Sequence, residues 1–86
     1  MSDQIVVPDN ISAIASLIRK DWSKQGKGVN FAAKPYLDAM GSFDNINDKY
    51  GCDSARSIVV YFLGNATSWK GEVAKAVKLK LNKMLK

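Results

Sequence analysis

Apolar residues first recur at helical spacing at Ile11, Ala15, Ile18 and Trp22, with Ile14 and Leu17 alongside. Those steps place the four on one face, and Arg19, Lys20, Asp21 and Ser23 fall mostly off it. The pattern predicts a first helix over roughly 11–23, capped by Asp9 or Asn10. Residues 1–9 read as an extended arm whose Ile5, Val6 and Val7 are placed to pack on the body. Lys24-Gln25-Gly26-Lys27-Gly28 stops the helix and forms a loop.

Pro35 shapes the second element, because proline is tolerated in a first helical turn and disruptive beyond it. Residues 30–34 therefore read as a lead-in turn and 35–40 as helix, with Phe31, Tyr36, Leu37 and Met40 facing inward. Ser42 is placed to cap a short third helix in which Phe43, Ile46 and Tyr50 share a face, and Gly51 ends it. Cys52 or Asp53 starts a fourth, from Ser54 to about Gly64. Its centre, Ile58-Val59-Val60-Tyr61-Phe62-Leu63, is apolar on every side, as in a buried helix or a buried strand. The absence of any turn residue from Ser54 to Leu63 favours the helix.

Asn65-Ala66-Thr67-Ser68 reads as a turn, and a last helix comes after it over 69–85. At 100° per residue, Trp69, Val73, Leu81, Met84 and Leu85 lie within about 80° of Val77. Lys75, Lys78, Lys83 and Lys86 lie opposite, with Leu79 among them. The competing reading takes 77–82 as alternation of period two, but the i, i+4 series from Trp69 to Leu85 is longer. The fold class is thus all-α: one domain over 1–86, of four to five short helices packed around the 58–63 helix. The alternative is α+β, with 5–7, 58–63 or 77–82 as strands.

Composition narrows the function. The 86 residues are 47% apolar and 24% charged, which is ordinary for a globular domain. The longest apolar run, 58–63, is too short to span a bilayer, and residues 1–4 carry no basic residue of a signal peptide. Histidine is absent, which removes His-based acid–base chemistry, His-containing triads and most zinc sites. The lone Cys52 forms no internal disulfide and points to a reducing, cytoplasmic setting.

The net charge of +5 is uneven. Six lysines, Lys70, Lys75, Lys78, Lys80, Lys83 and Lys86, crowd the last 17 residues against Glu72 alone, whereas 38–53 is mildly acidic. Such a cluster is a candidate surface for a polyanion or an acidic partner, or else a solvated helix face complementing the helix dipole.

Few motifs survive inspection. Gly26-Lys27-Gly28 lacks the third glycine and the preceding strand of a phosphate-binding loop. Asp44-Asn45-Ile46-Asn47-Asp48 puts Ile46 where a calcium loop needs an oxygen ligand, and Ala55 where it needs Glu. Cys52 has no base beside it, and no two carboxylates are paired for acid–base work. The chain therefore reads as a non-enzyme with no catalytic residue, metal ligand or cofactor. Both tryptophans lie on apolar stripes and read as core rather than as stacking platforms. The last two helices, joined by only a few residues and the second of them basic, share the layout of a helix-turn-helix, yet Trp69, Lys70 and Gly71 stand where a recognition helix presents base-reading side chains.

The string Asn30-Phe31-Ala32-Ala33-Lys34-Pro35-Tyr36-Leu37-Asp38-Ala39-Met40 has a familiar pattern. So do Tyr50-Gly51, Ser57-Ile58-Val59, Tyr61-Phe62-Leu63, Asn65-Ala66, Trp69 and Gly71-Glu72. Together, over about 10–86, they resemble small uncharacterised helical proteins of bacteriophages and other bacterial mobile elements. The resemblance implies a cytoplasmic accessory protein in the bacterial host, and carries over no activity or functional residue.

The expected function is a non-catalytic binding or adaptor module that acts through protein–protein contacts, possible modulation of a host or element machine included. Self-association into a homodimer is a further partner expectation, because a small chain gains buried area by pairing. The alternative is sequence-independent nucleic-acid binding through the six lysines. Membrane-surface binding is disfavoured, since the core needs the apolar face of the last helix. Leu79, with the 5–7 arm, is the expected exposed apolar contact.

Overall fold

A computed structural model describes residues 5–51 and 53–86 and shows a small, mostly helical domain. Among the described residues, four helices carry it: α1 (Ile11–Trp22), α2 (Lys34–Met40), α3 (Ala55–Gly64) and α4 (Glu72–Leu85). The segments considered as strands at 58–63 and 77–82 are helical, and 5–7 carries no regular structure. The only ladder among the described residues joins β1 (Lys49–Tyr50) to β2 (Asp53–Ser54), antiparallel, with Lys49 opposite Ser54. Gly51, at φ +60, supplies the left-handed residue of that tight connection. Residues 1–4 and Cys52, the latter raised as a helix start and a reactive thiol, lie outside the described residues.

Helix α1 follows its stripe: Ile11, Ile14, Ala15, Ile18 and Trp22 are all buried. Asn10 rather than Asp9 is the cap, its Oδ1 accepting the Ala13 N–H at 3.0 Å. The Asn10 Nδ2 also donates to Asp44, and the Ile11 N–H donates to the Asp44 carbonyl at 2.9 Å. One side chain thus caps a helix and anchors a distant turn. Asn10→Ala is expected to cost about 1–2 kcal/mol in urea unfolding, and Asn10→Ser to recover most of it.

The third helix expected over 42–51 is absent. Asp48 accepts the N–H groups of Asp44 and Asn45, both at 2.9 Å, and Asn45 accepts that of Asn47 at 2.9 Å. The Asn47 N–H is thereby diverted from the Phe43 carbonyl it would meet in a helix, Asp48 is folded back onto Asp44 and Asn45, and the segment forms linked turns. Phe43 still reaches the core and Ile46 is half-buried. Arg56 braces the turns, donating to Asn47 and to the Leu85 carbonyl near the end of α4.

Helix α3 is capped by Ser54, whose Oγ accepts the Ser57 N–H at 3.1 Å, rather than by Asp53. Ala55, Ile58, Val59 and Phe62 are buried, but Val60 and Tyr61 are exposed. The helix packs on α2 and α4 and leaves its outer side in water, so its all-round apolar character is not matched by all-round burial. Phe31 is likewise outside: Asn30 accepts the Ala32, Ala33 and Lys34 N–H groups, and the resulting turn holds the ring in solvent.

Helix α4 begins at Glu72, three residues later than the stripe implies, because Gly71 has a non-helical backbone at φ 109, ψ 179. Trp69 is nevertheless fully buried. It stacks on Trp22 at 5.7 Å between centroids, and Phe62 meets both indoles edge-on. Its Nε1 donates to Asp21 at 2.9 Å, which satisfies the one polar atom of the ring. The Gln25 amide donates to Asp21 and the Lys70 carbonyl and accepts the Lys70 N–H, tying the loop after α1 to the turn before α4.

Candidate interaction surfaces

The six lysines do not form one surface. Lys78 is half-buried, donates to the Trp69 carbonyl at 2.8 Å and lies 5.9 Å from the centroid of that ring. Burial, and then the charge of Lys70, hold its ammonium below the ordinary lysine range. Lys80 is paired with Asp9 of the N-terminal arm. Lys75 and Lys83 stand exposed on the outer side of α4, Lys86 just past its end, and Lys70 in the turn before it. Two of the six are thus committed to holding the fold together, and four face solvent.

Leu79 is 61% exposed, in the middle of that basic side. The Asp9–Lys80 pair brings the arm to α4, and Ile5 and Val7 are half-buried there while Val6 points out. Ile5, Val7, Ala76, Leu79, Lys80 and Lys83 line a shallow groove of about 280 Å³. The structure therefore brings together the expected apolar contact, the arm and two of the candidate lysines. An apolar floor with a basic rim suits a segment bearing an apolar anchor and carboxylates.

Of the other clefts among the described residues, two carry exposed aromatic side chains that no stripe marks out. The larger is a cleft of about 590 Å³ beside the loop after α1, lined by Trp22, Gly26, Lys27, Gly28, Phe31 and Ser68 among others. Phe31 is 90% exposed at its mouth. The available signal was local: Asn30 heads a turn before Pro35, so Phe31 belongs to no helical stripe. The other is a shallow site of about 220 Å³ lined by Arg56, Ser57, Val60 and Tyr61. There the Tyr61 ring packs against Tyr36 at 5.5 Å.

Among the described residues, no group of three His, Cys, Asp or Glu is placed to hold a metal ion, and no helix is long and apolar enough to cross a membrane. Comparisons with known protein families, with curated proteins and with solved structures find no match to this chain.

Proposed function

We propose that this chain is a non-catalytic adaptor of a bacteriophage or mobile element, acting in the host cytoplasm by binding a protein partner in the groove between arm and α4. The observation that carries the reading is Leu79, an apolar side chain left in water amid lysines and bordering a formed groove. A surface serving only solubility or phosphate contact gains nothing from leucine at its centre, whereas a protein interface uses it as an anchor. The partner is an acidic segment with an apolar residue for Leu79 and carboxylates for Lys75 and Lys83. Two copies of so basic a face repel, which disfavours a homodimer through α4. The element origin is supported by the residue strings within 30–72, and the cytoplasmic setting by the same resemblance.

Peptides selected from a random library against the immobilised protein test the reading. Acidic sequences carrying a Leu, Ile or Phe anchor are expected, with affinity falling about tenfold or more on Leu79→Asp. Because Leu79 is exposed, that substitution is expected to change stability by no more than about 0.5 kcal/mol. Selected peptides that ignore Leu79→Asp overturn the proposal. The second reading, nucleic-acid binding by the exposed Lys70, Lys75, Lys83 and Lys86, is favoured instead if duplex DNA binds with a steep salt slope and ignores Leu79→Asp.

A further inference from the structure

We propose that the loop after α1 is a second, separate site that binds single-stranded nucleic acid, with the Phe31 ring as a stacking platform for a base. It does not depend on the groove at α4. Three observations converge on it.

The first is the ring itself. Phe31 is 90% exposed, and its turn is tied by Asn30, whose side chain accepts the Ala32 N–H at 3.0 Å and whose carbonyl accepts those of Ala33 and Lys34. The platform is therefore held in water by a bonded turn rather than left on a loose strand. Preorganised aromatic faces of this kind lose little freedom on binding.

The second is space. The adjoining cleft of about 590 Å³ lies within the range of small-ligand sites and is large enough to admit a base beside the ring. Gly26 and Gly28 line it, and a side chain at Gly26 would meet nothing within 4 Å, so that rim is open to an approaching backbone.

The third is charge. Lys27 lines the cleft with Phe31, Lys24 and Lys34 are exposed at the two ends of the same segment, and residues 22–37 contain no acid. Of the bordering acids, Asp38 is paired with Arg19, and Asp21 is turned toward Trp69 and Gln25, so three lysines face at most one unpaired carboxylate. Exposed ring, open cleft and an excess of lysine together match a strand whose phosphates meet lysine and whose bases are free to stack. Bases in a duplex are already stacked on each other, so the site favours single strands.

Fluorescence anisotropy of the full chain with ~15-nucleotide oligo-dT, oligo-dA and a duplex of equal length, at ~50 and ~200 mM salt, tests the proposal. The single strands are expected to bind more tightly than the duplex. Phe31→Ala is expected to weaken them about tenfold, Phe31→Trp to restore binding, and Lys27→Glu to flatten the salt slope. Phe31 and Lys27 are both exposed, so the fold is expected to stay intact in each variant, which circular dichroism checks. The affinity of the peptides selected at the α4 groove is expected to be unchanged by Phe31→Ala, so either site is able to fail alone. Equal binding of duplex and single strand, affinity indifferent to Phe31→Ala, or no binding at ~50 mM salt overturns the proposal. So does Phe31-dependent binding to anionic lipid vesicles with none to the oligonucleotides.

Discussion

Trp69→Ala is expected to remove about 3–5 kcal/mol of folding stability, the largest loss from any single side chain in this chain. Trp69 is fully buried, stacked on Trp22 and met edge-on by Phe62, so its deletion leaves a void beside these two aromatic side chains. It also strips Asp21 of the indole donor and leaves Lys78 without the ring it lies over. Small domains hold on the order of 0.05–0.15 kcal/mol per residue, so the loss is a large share of what 86 residues supply. Thermal unfolding followed by circular dichroism is expected to show Tm falling by more than about 12 °C. Trp69→Phe keeps an aromatic ring in the stack but loses the N–H donor and part of the buried indole volume, for which about 1–3 kcal/mol is expected. A Trp69→Ala loss below ~1.5 kcal/mol in urea unfolding contradicts a central role for this aromatic cluster.

The second large effect is expected at Gly71. Its backbone, at φ 109 and ψ 179, lies in a region that is essentially open to glycine alone. A Cβ there has room, since its nearest neighbour is Gln25 Nε2 at 3.8 Å. The cost of Gly71→Ala is therefore conformational rather than a clash, about 1–3 kcal/mol. Gly64 is the control: it ends α3, a Cβ there meets nothing within 4 Å, and its φ is not in the left-handed region. Gly64→Ala is expected to be neutral or to stabilise by up to about 1 kcal/mol. Equal effects of the two substitutions sink the argument from backbone strain. Gly71 also matters for the surface, because it separates the buried Trp69 and the exposed Lys70 from the start of α4.

The elements whose sequence signals are local appear as read. The stripe of α1, the cap at Asn10, the late start of α2 around Pro35 and the Val73–Val77–Leu81 face of α4 all follow from spacing and cap chemistry. So does the isolation of Leu79, an apolar residue on the polar arc of its helix whatever packs on the other side. The groove it borders depends on the Asp9–Lys80 pair across the fold.

The remaining features were set by neighbours that periodicity does not encode. Ile58 to Leu63 reads as apolar all round, yet Val60 and Tyr61 stay exposed. Phe31 reads as core by its type, and a bonded turn aims it at solvent. The face shared by Phe43, Ile46 and Tyr50 is sound helical spacing, but Asn and Asp side chains bond the backbone locally and win. Trp69 reaches the core from a turn, because stacking on Trp22 does not require a helix beneath it. Spacing along a chain determined which residues of this protein share a face. Burial of that face depends on surface brought from elsewhere, and only the tertiary structure decided whether it came.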